Sequence, residues 1–558
     1  MRFSICFSLL AMVSAVSATE PKAKPNVVVI QVDGLGPRDL GCTGSTYYKT
    51  PNLDAFAKRG VKLEEAYAGG GGFDATQFSL LTGTAPARFN LHDSDSLQTD
   101  PGLRKLMPPK RVHEIPKSVP TIANELHAAG YVTYHNGPQH QSFARHFFFG
   151  TKALGFSDSE VNIPTFNEFL KRHSDKPFFI VWECRGKWTP DAKSLAKYKA
   201  GVLGTQGNPT HAVHVEAYDT VIGELLKELD ERKLTDDTIV VVTGTGGAAT
   251  VLETPETPVT SNAPYREGKG YLYEGGLRVP FLIRGPGVKT GGFPIISADV
   301  APTLLGLCGI KSEIEFQGIN LAPQFRGDAK ADPKREFHWH QPYYTPSLGK
   351  PAGAIRAGNY KLIEYFETDR RELFDLSKDI GESRNLAAEK PEVVKEMAAK
   401  LAARRKDIGA KMPAPNPDYA PNPQAKDGTI TLPARTAFVT GTQLRFEPAP
   451  HKNTLGYWTN AADTAYFEFT VTTPGTFAVG VLQGAGKGSG GAEVELAVGD
   501  SNFKFTVKDT GGFQAFENRE VGELTIVKAG RHTLTVTPKS KPGVAVMDLR
   551  EVTLTIKK

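Results

Sequence analysis

An apolar, mostly β-branched run over residues 26–32 ends abruptly at Asp33 and constrains the fold more than any other feature of the sequence. A continuous run of this kind is typical of a strand that is buried on both faces of a parallel sheet. A second run covers residues 238–242. Shorter apolar runs and helical patterns alternate with these two, at residues 120–129, 131–134, 177–182 and 212–232. This alternation predicts an α/β fold, a parallel sheet flanked by helices.

The ends of the two longest runs carry side chains that could do chemistry. Asp33 follows the first run, and Thr245 lies in the Gly-rich loop after the second. In open α/β sheets, ligands bind beyond the carboxyl ends of the strands. We therefore expect Asp33 and Thr245 to lie at the edge of the sheet where a site would form.

The rest of the chain changes character twice. From about residue 353 short strands and a closing helix predict a small α+β subdomain, and a proline-rich stretch then predicts an extended linker. Beyond the linker, two-residue alternation of apolar and polar residues predicts an all-β jelly-roll sandwich. The expected division is a signal peptide, an α/β domain, the subdomain, the linker and the sandwich, at residues 1–18, 19–330, 331–410, 411–427 and 428–558.

Export is expected from the N-terminus. Arg2 precedes a short apolar stretch, and Val16-Ser17-Ala18 fits a signal-peptide cleavage site, which predicts a secreted or periplasmic protein. No later stretch is apolar enough to span a membrane.

The net charge of +5 is not gathered into a Lys/Arg-rich run, which argues against nucleic acid as a partner. The spacing of the cysteines after the signal does not suit zinc, and a disulfide among them stays open.

Several motifs, in order along residues 25–405, resemble those of the sulfatase family, in particular bacterial arylsulfatases and N-acetylgalactosamine-6-sulfatase-like proteins of the alkaline phosphatase superfamily. The matching segments are Pro25-Asn26-Val27-Val28-Val29-Ile30, Asp39-Leu40-Gly41-Cys42, Thr50-Pro51-Asn52-Leu53-Asp54, Leu80-Leu81-Thr82-Gly83, Tyr273-Glu274-Gly275-Gly276-Leu277-Arg278-Val279-Pro280, Asp299-Val300-Ala301-Pro302-Thr303-Leu304-Leu305 and Leu373-Phe374-Asp375-Leu376. The resemblance implies the sulfatase fold and, in an intact member, hydrolysis of sulfate esters.

The resemblance also implies where the nucleophile would be. The family uses a formylglycine made from Cys or Ser at the start of a helix, eight residues before a Leu-Thr-Gly segment. In this sequence that position is Phe73, and the Arg of the family motif is replaced by Gln77. A phenyl ring cannot become an aldehyde and cannot attack sulfur. We therefore expect Phe73 to fill a hydrophobic pocket.

The calcium ligands of the family are reduced in the same way. Of the paired Asp after the first strand, the sequence keeps Asp33 and has Gly34, and the later Asp-Asn pair corresponds to Thr245 and Gly246. Calcium takes six to eight oxygen ligands, with carboxylates among them. The sequence therefore predicts neither bound Ca²⁺ nor formylglycine, and no other cofactor.

Two basic side chains of the family site are retained. His140 and Lys269 occupy family positions, whereas Trp188 stands where the family has a His. Without a nucleophile, a structural role for His140 gains weight. Lys269 and Asp33 roughly balance in charge, and we hypothesise that they form an ion pair in place of the metal.

The predicted sandwich offers one candidate glycan-binding feature, Tyr457-Trp458 in a turn. Aromatic rings stack on the apolar face of sugars, but a core position for Trp458 is at least as reasonable. The first hypothesis for the whole chain is an inactive sulfatase-fold protein that binds a sulfated polysaccharide or another glycan. The alternatives are a hydrolase of a different ester using Asp74, Thr76 or His140, although helix capping also explains the first two, and a structural or adhesion component. The sequence does not predict an oligomeric state.

Overall fold

The computed structural model describes residues 24–91, 104–112, 115–116, 118–136, 149–150, 163–185, 190–201, 205–251, 259–345, 349–368 and 370–557. The expected signal peptide at residues 1–18 lies outside these residues. None of the helices in the described part of the chain is long and apolar enough to cross a membrane.

A seven-stranded mixed sheet forms the centre of the N-terminal part. Its strands are β1 Asn26–Val32, β2 Val61–Lys62, β5 Val132–Asn136, β6 Phe149–Gly150, β7 Phe178–Cys184, β8 Thr238–Gly244 and β9 Phe281–Arg284, in the order β2-β9-β8-β1-β7-β5-β6. The strands β8, β1, β7, β5 and β6 are parallel, as expected, whereas β9 and β2 are antiparallel additions at one edge. Val32 pairs with both Cys184 and Gly244, so the residues that follow these three strands lie side by side.

Nine helices are described in the N-terminal part, and most of them cover the two faces of this sheet. They are α1 Pro51–Arg59, α2 Phe73–Thr82, α3 Ile122–Ala128, α4 Ile163–His173, α5 Ala192–Leu195, α6 Pro209–Glu231, α7 Glu274–Leu277, α8 Val300–Leu307 and α9 Ala322–Arg326. The side chains of β1 alternate between two cores because successive residues of a strand point to opposite faces. Val27 and Val29 pack with α2, α3 and α8, whereas Val28 and Ile30 pack with α1, α4 and α6.

A second sheet and a long helix form the predicted α+β subdomain. The antiparallel strands are β11 Glu336–Gln341, β12 Ala352–Ala357, β13 Tyr360–Tyr365 and β14 Arg371–Asp375, and helix α10 Pro391–Ile408 packs on them. A short parallel pair, β3 Ala66–Tyr67 and β10 Ile295–Ile296, lies elsewhere in the N-terminal part. The subdomain is fixed to the rest by a buried charge cluster in which Lys361 lies 2.9 Å from both Glu274 and Glu382.

The C-terminal part, here called the β module (residues 429–557), is a sandwich of two antiparallel sheets. One sheet contains β16 Thr429–Pro433, β18 Arg445–Glu447, β19 Thr454–Gly456, β21 Gly475–Ala485, β24 Gly512–Ile526 and β26 Asp548–Ile556. The other contains β17 Phe438–Thr440, β20 Thr464–Val471, β22 Glu493–Val498, β23 Ser501–Thr506 and β25 Gly530–Pro538. Alternating buried residues of the two sheets form one core, as the sequence pattern predicts.

The proline-rich linker docks on the N-terminal part. Residues β15 Ala414–Pro415 pair antiparallel with β4 Leu106–Met107. The side-chain amide of Asn416 donates to the carbonyl of Arg104 at 2.7 Å. The linker is extended, as its prolines suggest, and these contacts attach it to the surface.

Two sequence expectations about side chains are resolved by the fold. Trp458 is fully buried in the core of the sandwich and donates from Nε1 to the carbonyl of Asp463 at 2.9 Å. The prediction that Trp458 contacts a glycan is therefore wrong, because its ring has no exposed face. The thiols of Cys42, Cys184 and Cys308 are all free, so no disulfide joins these three described cysteines.

Candidate active site

The candidate site forms where the three central strands end. Asp33 follows β1, Arg185 follows β7 and Thr245 follows β8, at the edge of the sheet predicted from the sequence. The hydroxyl of Thr245 donates to Oδ1 of Asp33 at 3.3 Å. On the other side, Nε of Arg185 lies 3.9 Å from Oδ2 of Asp33.

Lys269 completes the charged group at this edge. Its backbone amide donates to the carbonyl of Ala248 at 3.2 Å, which holds its loop next to the segment that follows β8. Its ammonium lies 3.3 Å from Oδ1 of Asp33, which confirms the hypothesis that the two residues pair. Burial alone would raise the pKa of the Asp33 carboxyl, but the neighbouring cations Lys269 and Arg185 outweigh burial and lower it. Asp33 is therefore a carboxylate that bridges two cations.

Helix α2 begins beside this group, with Phe73 as its first residue. The Phe73 ring is only 2% exposed, as expected for a pocket-filling hydrophobe, and the guanidinium of Arg185 lies 4.2 Å from the ring centre. This distance is within the range of a cation–π contact. The side chain at the position that the family uses for its nucleophile is thus a buried phenyl group under an arginine.

The expected capping roles of Asp74 and Thr76 are wrong. The cap of α2 is Gly72, which has no side chain to accept a hydrogen bond. Asp74 instead forms an ion pair with Arg111 at 3.0 Å, and the hydroxyl of Thr76 donates to the carbonyl of Gly70 at 3.4 Å. Each side chain thus contacts residues outside the helix.

A buried polar layer lies one helical turn beneath Phe73. The amide of Gln77 donates to Oε1 of Gln31 at 3.3 Å and also to Oε1 of Glu183. Nε2 of His135 lies 2.7 Å from the same Glu183 oxygen. All four side chains are at least 96% buried. Polar groups can be buried without a large energetic cost when they bond to one another. Gln77, which stands at the position of the family's Arg, thus belongs to a hydrogen-bonded group that connects α2 with β1, β5 and β7.

The donor set at the sheet edge does not suit calcium. Asp33 supplies the one carboxylate of the described site and Thr245 a hydroxyl, while Gly34 and Gly246 have no side chains. Calcium needs six to eight oxygen ligands. In addition, the negative charge of Asp33, which would attract Ca²⁺, is already neutralised by two cations within 4 Å of it. No group of three or more His, Cys, Asp or Glu side chains suited to a metal occurs in the part of the chain that the structure describes.

The remaining predicted residues do not join this group of side chains in the described structure. His140 and Trp188 lie outside the described residues, so their roles stay predictions. Tyr457 is half-buried in the β module, where the guanidinium of Arg445 lies 3.8 Å from its ring centre. Arg185 was missed because no family motif marks it. Its place shortly after the predicted strand at 177–182, at the carboxyl end where sites form, is the signal that could have identified it.

Three family matches divide the chain. Residues 25–310 match the family "Sulfatase", residues 267–407 match "N-sulphoglucosamine sulphohydrolase, C-terminal", and residues 432–558 match a domain of unknown function, DUF5077. The first match alone covers more than half of the chain. The β module therefore corresponds to a family whose role is not defined.

Similar proteins agree with the first two matches. The chain is 25% identical over 439 residues to the Delta 4,5-hexuronate-2-O-sulfatase of Bacteroides thetaiotaomicron, covering 66% of this chain and 86% of that protein. It is 26% identical over 477 residues to human arylsulfatase A, covering 69% and 88%. The crystal structure of Ps i-CgsB in complex with k-i-k-neocarrahexaose superposes with a TM-score of 0.55 at 21% identity, covering 69% of this chain and 93% of that one. These matches place the described sheet and subdomain within a known fold.

Proposed function

Because this chain belongs to the sulfatase family, we propose that it binds a sulfated glycan without hydrolysing the sulfate ester. The observation that carries the proposal is Phe73, whose buried ring occupies the first position of α2 under Arg185. A hydrocarbon ring has neither a lone pair for attack nor a proton to exchange. Phe73 therefore supports a chain that does not hydrolyse sulfate esters by attack from this position.

The electrostatics of the same edge support anion binding. Lys269 and Arg185 carry two positive charges and Asp33 one negative charge, so these three side chains leave one excess positive charge. A partly buried positive excess attracts an anionic group and fixes its orientation. The relatives include a hexuronate-2-O-sulfatase and an ulvan-active sulfatase, which suggests a sulfated saccharide as the anion.

Calcium has no part in the proposed binding. Its family ligands correspond here to one carboxylate, one hydroxyl and two glycines, and the carboxylate is already neutralised by cations. We propose that Lys269 and Arg185 contact the sulfate oxygens directly. Asp33 would orient both cations, which makes it a positioning residue.

The first experiment asks whether the full-length protein turns over. Release of inorganic sulfate from an aryl sulfate and from sulfated oligosaccharides is measured with and without added Ca²⁺, beside human arylsulfatase A as the active reference. We expect release equal to the buffer blank under both conditions. Enzyme-like release that disappears in a Lys269→Ala variant would overturn the proposal.

The second experiment asks whether the protein binds. Calorimetric titration with sulfated oligosaccharides should give an affinity about tenfold weaker for Lys269→Ala, or about 1.4 kcal/mol. Lys227→Ala is the matched control, because Lys227 lies on α6 with 73% of its side chain exposed. Equal losses in both variants would mean that general surface charge, rather than this edge of the sheet, attracts the ligand.

The two alternatives receive no specific support from the described residues. Asp74 is paired with Arg111, and Thr76 is fully buried, which leaves neither poised to attack an ester. Phosphate-ester assays in the first experiment test altered chemistry directly. A structural or adhesion role remains if neither turnover nor glycan binding is found.

A further inference from the structure

A cleft of about 480 Å³ separates the β module from the loops that follow β8. One wall comes from residues 259–267 and the other from residues 442–445 and Tyr457. Small-molecule sites usually have volumes of about 300 to 1,000 Å³, so this cleft is large enough for a ligand. Neither Asp33 nor Lys269 lines it, which makes it distinct from the site at the sheet edge.

Arg445 holds the two walls of the cleft together. Its guanidinium lies 3.8 Å from the centre of the Tyr457 ring and 3.4 Å from the carboxylate of Glu267 on the opposite wall. The side chains of Arg445 and Glu267 are only 13% and 8% exposed. The cleft is therefore shaped by contacts between the walls and is not a gap between loosely touching parts.

The backbone of both partners of Arg445 is unusual. Tyr457 has φ 55° and Glu267 has φ 58°, in the left-handed region that residues other than glycine rarely adopt. Such conformations persist where the surrounding structure enforces them, and they concentrate at binding sites. Here the two residues line the cleft from opposite walls and both contact Arg445, so the unusual backbone conformations lie at the walls.

Both cations of the described cleft walls are already engaged by protein groups. Arg445 and Glu267 neutralise each other, and Arg266 donates to the carbonyls of Glu382 and Gly441 while stacking at 3.9 Å on the ring of Tyr273. The side chain of Arg445 is only 13% exposed, against 34% for Lys269 and 29% for Arg185, so the cleft presents less cationic surface to a sulfate group than the sheet edge does. This distinguishes it from the edge that contains Lys269.

The other wall groups include hydroxyls, amides and aromatic rings. Ser383 and Gln443 are exposed, Ser261 and Tyr265 are half-buried, and all four line the cleft together with Tyr457. Hydroxyl and amide groups exchange hydrogen bonds with sugar hydroxyls, and aromatic rings contact the apolar C–H faces of sugar rings. A neutral, hydroxyl-rich ligand matches this set better than an ion or an apolar molecule.

We propose that this cleft is a second glycan-binding site, which takes an unsulfated segment of an oligosaccharide between the β module and the sulfatase-like part. The site extends the proposed function and does not depend on it, because the residues that carry the two differ. Tyr457 and Gln443 contribute from the β module, and Ser261, Tyr265 and Ser383 from the opposite wall. Recognition here is by hydroxyl groups, so it is insensitive to salt.

The test uses the full-length protein on an array of paired sulfated and chemically desulfated oligosaccharides, followed by calorimetry. We expect at least one desulfated oligosaccharide to bind, with an affinity that stays within about twofold between low and high salt, since exposed charges are screened over a Debye length. Ser383→Trp, which places an indole in the cleft, should weaken this binding at least about tenfold, or about 1.4 kcal/mol.

Matched variants separate the two sites. Ser540→Trp puts the same ring on an exposed position of the β module that does not line the cleft, and it should bind as the unaltered protein does. Lys269→Ala should leave the binding of desulfated oligosaccharides unchanged, whereas Gln443→Ala should weaken it. If no desulfated oligosaccharide binds, or if Ser383→Trp binds it as well as the unaltered protein does, the proposal of a second site in the cleft is overturned. Neither result would bear on the proposed sulfate site. Loss of sulfated ligands alone in Lys269→Ala would support both proposals.

Discussion

The guanidinium of Arg185 lies 4.2 Å from the centre of the Phe73 ring, while its Nε lies 3.9 Å from the carboxylate of Asp33. One side chain therefore contacts both the start of α2 and the carboxyl end of β1. In this arrangement the helix start is covered by a cation that is held by a strand-end carboxylate. The stability of this edge should therefore depend on all three residues.

Replacing Phe73 by alanine should lower the free energy of unfolding by about 3 kcal/mol. The ring is 2% exposed, and deletion of a buried phenyl group costs its transfer free energy plus the cavity that it leaves. Urea unfolding followed by circular dichroism measures the change. Phe516→Ala is a matched control, because the half-buried Phe516 ring also lies under an arginine, Arg550, at 3.7 Å. A Phe73 variant no less stable than the control would mean that the ring is not a packing element.

Replacing Asp33 by alanine should destabilise the protein by about 1 to 2 kcal/mol at neutral pH, because Lys269 and Arg185 lose their shared anion. The lowered pKa of Asp33 gives the sign of the pH dependence. The folded state binds this proton less tightly than the unfolded state, so the stabilisation is present above the ordinary pKa of 3.8 and is lost as pH falls through the lowered value.

Denaturant titrations of both proteins across the acidic range measure this effect. The difference between wild type and Asp33→Ala should shrink toward zero in acid, and equal stability of the two proteins at neutral pH would contradict the ion pair. Asp500→Ala, at an exposed turn of the β module, serves as the control for general effects of removing a carboxylate.

Added Ca²⁺ or a chelator should shift the melting temperature by less than about 1 °C. A ligand that binds only the folded state at a hundred times its Kd would stabilise it by about 2.7 kcal/mol, an effect that thermal unfolding readily detects. The donor set around Asp33, with Thr245 and two glycines, predicts no such stabilisation. Mg²⁺ and NaCl at matched ionic strength are the controls. A rise with Ca²⁺ alone would show that other residues complete a calcium site.

The Asp548→Asn variant should be more stable than the wild type by about 1 to 3 kcal/mol at pH 8. Burial in the β module, together with the nearby Glu447, raises the pKa of Asp548 to about 7. The folded state then holds the proton more tightly than the unfolded state, so wild-type stability falls as pH rises from about 4 to 7 and is level above that. Asparagine has no such titration.

Unfolding curves of the two proteins from pH 4 to pH 8 measure the predicted divergence. Asp500→Asn, an exposed carboxylate of the same module, should follow the wild type throughout. Parallel curves for wild type and Asp548→Asn would mean that the carboxyl of Asp548 is solvated in the folded state.

The central fold could be predicted from the sequence because its strands are buried on both faces, and such strands appear in the sequence as continuous apolar runs. The run at 26–32 coincides with β1, and the run at 238–242 lies within β8. Antiparallel β9 and β2 were not anticipated, since neither periodicity nor propensity reports the direction of an edge strand. The docking of the linker also depends on a partner strand that lies far away in sequence.

The candidate site could be predicted only in part. The pairing of Asp33 with Lys269 followed from charge balance, whereas the contacts of Arg185 depend on a strand register that the sequence does not state. Trp458 was wrong as a glycan contact because an aromatic residue in a turn has the same local signature whether it points outward or inward. Asp74 was assigned to a cap because Arg111, its partner, is distant along the chain.

The docked linker has a consequence for the integrity of the chain. Residues 414–415 pair with 106–107, which keeps the start of the linker on the N-terminal part. Lys105 pairs with Glu468 of the β module, and the ammonium of Lys350 lies 4.3 Å from the centre of the Phe438 ring of the same module. Proteolytic nicking between residues 416 and 428 would therefore cut the covalent connection without removing these contacts. The two fragments should then travel together as one non-covalent particle, much as the subunits of a heterodimer do.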